Sequence, residues 1–105
     1  MSTKERFQKT IDSLFQHLGM DAIYQPVAGE TRAIRIIPRR PEDLYELGEG
    51  RLHGENPRFD IRVNEVTEPQ IGDDMVIENK TYRIEEEPRF EQHHLVWTVQ
   101  TLPVI

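Results

Sequence analysis

The chain has 105 residues, 36% apolar and 30% charged, with a formal net charge of −6. That balance suits one soluble domain, residues 1–105, with a modest core, and its sign argues against a general binder of nucleic acid or membrane surfaces. With no cysteine, disulfides, thiolate catalysis and Cys-based zinc sites are excluded; no stretch has transmembrane length and no apolar signal region opens the chain, so a cytoplasmic origin is expected.

Residues 3–18 read as an amphipathic helix. Phe7, Ile11, Leu14, Phe15 and Leu18 recur at helical spacing on one stripe. Ser2 and Glu5 fit a capping box, and Gly19 is expected to end the helix in a left-handed conformation. The stripe has two possible partners, the chain's own sheet or a neighbouring subunit. Its own sheet is favoured, because two exposed phenylalanines on a free arm invite aggregation.

The rest, 21–105, reads as β. Ala22–Tyr24 is a brief strand stopped by Pro26, and Ala28–Glu30 is a turn. Arg32–Ile37 follows, with Ile34 and Ile36 inward. Residues 38–57 break the pattern with Pro38, Pro41, Gly48, Gly50, Gly54 and Pro57, and read as a long mobile loop. Phe59–Val66 resumes as a strand with Phe59, Ile61 and Val63 on one face. Gly72–Ile84 reads as a hairpin reversing at Asn79-Lys80, with Tyr82 and Ile84 on one face. Glu85–Glu87 ends that strand before Pro88. His94–Leu102 is the last strand, with Leu95, Trp97 and Val99 on one face, stopped by Pro103. The fold class is therefore α+β, mainly β: a helix and a small antiparallel barrel or sandwich of five to six strands, which hides strand edges economically.

No convincing active site emerges. His93 and His94 are adjacent on a strand and point to opposite faces, and His17 and His53 add no metal-ligand spacing. Asp73-Asp74 and Glu85–Glu87 are expected to be solvated rather than tuned for acid–base work. Gly48-Glu49-Gly50 lacks the ending of a phosphate loop. Ser2 and Ser13, both at the helix, make a Ser-His-Asp triad implausible. No catalytic residue, metal or cofactor is predicted.

Charge is unevenly spread. Seven arginines fall between Arg32 and Arg62, whereas 73–91 is acidic. This reads either as two distinct contact surfaces or as solvated strand faces. Should the strands at 32–37 and 58–63 pair, Arg35, Arg62 and their neighbours form a stripe. The alternative function is then a small barrel binding single-stranded nucleic acid, a reading weakened by the interspersed acids.

Two stretches carry a family resemblance. Tyr24–Ile37, with Pro26, Gly29 and an arginine-bearing strand, is similar to an early hairpin of the head-tail joining proteins of long-tailed bacteriophages and prophages, also called tail-attachment or head-completion proteins. Ile71–Ile84 resembles that family's Gly-Asp, apolar strand, turn, Tyr-x-Ile hairpin. The helix, middle loop and closing strand agree in order. The resemblance implies a non-enzymatic virion part that forms a ring at the neck, hexameric in the family and monomeric when free. Implied partners are further copies, a connector or head-completion protein and a tail protein, with no membrane and no specific nucleic acid. The implied location is the bacterial host cytoplasm during assembly, then the virion neck. Loops of this family order on assembly, and that role carries onto Arg39, Arg40, Glu42, Asp43, Tyr45, Leu47, Arg51 and His53.

Overall fold

The computed structural model describes residues 2–39, 56–91 and 94–104. The helix forms where its spacing predicts. Helix α1 spans Thr3–Leu18. The Ser2 hydroxyl accepts the Glu5 N–H at 3.2 Å, satisfying one of the free donors of the first turn. Its buried residues are Ile11 and Phe15. They cluster with Leu95 and Val96, with Ile37 packed alongside, so the helix docks on its own barrel. Burying such side chains contributes about 1.5–3 kcal/mol each.

The helix end departs from expectation. Gly19 is extended, at φ −80° and ψ 167°, not left-handed. Close approach explains the glycine instead. A Cβ there would lie 2.2 Å from the Phe15 carbonyl oxygen and 3.2 Å from that of Ile36.

Seven strands follow among the described residues: β1 Met20–Gln25, β2 Arg32–Pro38, β3 Arg58–Arg62, β4 Asp74–Ile77, β5 Lys80–Ile84, β6 Arg89–Glu91 and β7 Val96–Val104. The order β3-β2-β1-β4-β5-β7, closed by β3–β7 pairing, makes a six-stranded antiparallel barrel. Among the described residues the seventh strand, β6, pairs with β7 alone. It continues along the edge of β7 that β5 uses further on.

Alternation fills the barrel. Tyr24, Ile34, Ile36, Phe59, Ile61, Met75, Ile77, Tyr82, Ile84 and Val99 form the main core. Phe59 and Tyr82 meet with ring centroids 6.0 Å apart, in the range where tilted aromatic pairs attract.

Several boundaries are corrected. The hairpin reverses one residue earlier than predicted. Its central pair is Glu78-Asn79, at φ 49° and 68°, between Ile77 and its partner Lys80. Two left-handed residues are what a type I′ turn requires. Strand β3 stops at Arg62, where the Arg62 carbonyl accepts the Glu65 and Val66 N–H groups in a tight turn. Leu95 lies in the turn before β7, where strand alternation does not hold, so it packs under the helix while Val99 enters the barrel core. Pro103 does not stop β7, which continues to Val104 opposite Thr81. Of the predicted loop, residues 40–55 lie outside the described residues, as do Gln92 and His93.

Candidate attachment surface

Pro38 ends β2 and Pro57 precedes β3, so the chain leaves and rejoins the barrel beside the same strand pair. The Arg39 N–H donates to the Arg58 carbonyl at 2.9 Å, closing the base of the 40–55 segment. Of the predicted contact residues, this leaves Arg39 for description. Arg40, Glu42, Asp43, Tyr45, Leu47, Arg51 and His53 lie outside the described residues.

A charged cleft of about 140 Å³ opens there. Strands β3, β6 and β7 supply its walls, with Arg39 just past β2 and Glu86 and Glu87 just before β6. Arg39, Arg58 and Arg89 face Glu86, Glu87 and Glu91, with Thr98 and Gln100 between. Asp60 lies under this surface and is 7% exposed. Its carboxylate accepts the Thr98 hydroxyl at 2.8 Å, and the Arg39 guanidinium stands 3.5 Å away. Burial raises the Asp60 carboxyl above its ordinary value, against the opposing pull of Thr98 and Arg39, and Glu91 adds to the rise. Glu85 is not simply solvated either. It accepts from the Gln100 amide at 2.7 Å and from the Asn56 amide.

The cleft left little trace in the sequence because it joins segments distant in the chain, among them the unpredicted β6. Only the arginine excess of 32–62 pointed toward it.

The arginine stripe forms, since β2 and β3 do pair, but its two central members are already engaged. Arg35 holds the helix end. It donates to the Phe15 carbonyl at 3.0 Å and the Gly19 carbonyl at 2.6 Å, and pairs with Asp21 at 2.8 Å. Both carbonyls lie at the helix C-terminus, where a cation is favoured by the dipole. Arg62 pairs with Asp12 at 3.0 Å and Glu65 at 2.6 Å, its guanidinium 5.0 Å from the Phe15 ring centroid. Both arginines dock α1 on the barrel.

Asp73 corrects a further expectation. It is 4% exposed, not solvated. Its carboxylate accepts the Tyr24 hydroxyl, the Val27 N–H at 2.9 Å and the Gln70 N–H at 3.0 Å. Burial and then the neighbouring carboxylate hold the Tyr24 phenol well above its ordinary value. Asp74 points the other way and pairs with Arg83 across the hairpin at 2.9 Å. The Tyr24 and Gly72-Asp73 stretches thus meet in one buried contact.

Among the described residues no group of three or more His, Asp or Glu side chains could hold a metal ion. No helix among them is long and apolar enough to cross a membrane.

No curated protein and no solved structure matches this chain. One family model does: that described as Phage Head-Tail Attachment protein, over residues 4–101. The matched span runs from the first turn of α1 through Thr101 of β7, and takes in both arginine clamps and the Tyr24–Asp73 contact. The chain belongs to the phage head-tail attachment family.

Proposed function

We propose that this protein is a non-enzymatic subunit of the virion neck, joining the phage head's connector to the tail as a ring of copies. The family match over residues 4–101 carries the reading. The site chemistry is consistent with it. Asp60, the buried carboxylate with a raised pKa, faces a threonine and an arginine rather than a nucleophile or a metal cluster. Its surroundings suit a contact surface better than a reaction centre.

In this reading the segment between Pro38 and Pro57, with the charged cleft at its base, meets the neighbouring proteins. A cleft with three arginines and three glutamates on its walls favours a partner of matching mixed charge, which sets register more than affinity. The nucleic-acid alternative loses ground because Arg35 and Arg62, the centre of its stripe, already hold α1.

Deleting residues 42–54 tests the assignment. The expected variant keeps the wild-type circular dichroism and melting transition yet fails to join heads to tails, counted as tailed particles by electron microscopy. Wild-type numbers of tailed particles would refute the loop's role.

A further inference from the structure

Helix α1 and the barrel are held together by separate sets of contacts. Among the described residues, the main core inside the barrel and the cluster under the helix share no member. The barrel closes on itself through the β3–β7 pairing, using strands that all follow α1 in the chain. Of the sixteen helix residues only Ile11 and Phe15 are buried. The helix therefore adds a layer to a fold that is already closed. Elements attached through few buried side chains open at a lower free energy than the whole domain.

The arginine clamps can let go without stranding a charge. Arg62 reaches Asp12 on the helix but also Glu65, at 2.6 Å. Arg35 reaches the Phe15 carbonyl but also Asp21 of β1, at 2.8 Å. When the helix leaves, each guanidinium keeps a carboxylate partner outside it. The penalty that makes a half-buried pair costly to break, one charge left uncompensated, does not arise. The surface beneath the helix is equally self-supporting. Val96 stands in the ladder between Arg62 of β3 and Glu91 of β6, Ile37 pairs with Asp60, and the Leu95 carbonyl accepts the Val63 N–H at 3.0 Å. The released helix is not: sixteen residues alone in water are marginal as a helix.

We propose that α1 is a releasable strap: it opens as one unit while the barrel stays closed, and so displays the apolar patch of Ile37, Leu95 and Val96 that it otherwise covers. Leu95 and Val96 are 5% and 1% exposed with the strap in place. The chain thereby hides an apolar surface in one state and offers it in the other, with its strand pairings unchanged. The joint is Gly19, between the last residue of α1 and the first of β1. Nothing in this device depends on the neck assignment.

Amide hydrogen exchange on the full chain, read by mass spectrometry, tests it with two one-methyl truncations. Ile84→Val trims the barrel core. It weakens the closed and the strap-open states alike, so α1 is expected to exchange at the wild-type rate while β4 and β5 exchange about fivefold faster. Ile11→Val trims the strap contact, and α1 is expected to exchange about fivefold faster. The chain has no native cysteine, so Leu95→Cys adds a single thiol under the strap. Its labelling by a thiol reagent is expected to quicken about fivefold with Ile11→Val and to ignore Ile84→Val. An α1 that speeds up with Ile84→Val as much as the barrel does opens only by global unfolding, which overturns the strap. An α1 indifferent to Ile11→Val exchanges by fraying while still docked, which overturns it too. Should Leu95→Cys not fold, the two exchange measurements decide alone.

Discussion

Two buried aspartates sit on the same barrel in opposite circumstances. Asp73 and Asp60 are 4% and 7% exposed. Asp73 accepts three hydrogen bonds, two of them from backbone N–H groups, Gln70 in its own turn and Val27 after β1. Asp60 has one hydroxyl donor and an arginine at 3.5 Å, with Glu91 adding repulsion. Burial alone therefore does not tell what a carboxylate does; the donors around it do. A saturated aspartate ties loops together, whereas an under-compensated one holds its proton more tightly.

Substitutions sharpen this contrast. The largest expected effect is at Asp73. Asp73→Ala strands the Tyr24 hydroxyl and two backbone donors, a loss of about 3 kcal/mol by equilibrium denaturation, since each buried unsatisfied donor costs roughly 1–3 kcal/mol. Tyr24→Phe leaves the carboxylate its two amides and should cost about 1 kcal/mol. Near-equal losses would mean that the phenol, not the aspartate, organises the contact.

At Asp60 the sign is expected to reverse with pH. Its folded pKa is raised above the ordinary value of 3.8, so the folded state holds the proton more tightly than the unfolded state. That contribution is fully present below the unfolded pKa and is lost as pH rises through the folded one. Asp60→Asn removes this dependence. Relative to wild type it should be more stable at neutral pH, by less than about 1 kcal/mol, and the gain should vanish as pH falls below 3.8. Melting temperatures of both proteins across that range decide it. A variant less stable than wild type at neutral pH would show that the ionised carboxylate is well compensated after all.

Helical spacing placed α1, and period-two alternation placed β1, β2, β4 and β5, because these elements carry their own signal. What escaped depends on distant partners. Strand β6 has three residues after a proline and is held by β7 alone. Asp73 looked like an ordinary turn residue, and its burial comes from Tyr24, 49 residues away. Arg35 and Arg62 looked like a basic stripe until the helix carbonyls and Asp12 arrived beside them. Gly19 sits where a helix-ending glycine is usual, but the neighbouring carbonyls, not its own dihedrals, require it. The charged cleft left only the arginine excess as a trace, since its glutamates and Arg89 enter from β6 and its approach. The attachment role was legible chiefly as resemblance, through two stretches that the fold then joined in one contact.

The central claim is that this chain completes the junction between head and tail. Heads and tails are prepared from a phage whose copy of this gene is interrupted, mixed with the purified protein, and assayed for infectious particles. The account predicts that infectivity rises with added protein from the background to a plateau, with joined particles visible at the neck. Separate heads and tails at every protein concentration would contradict it.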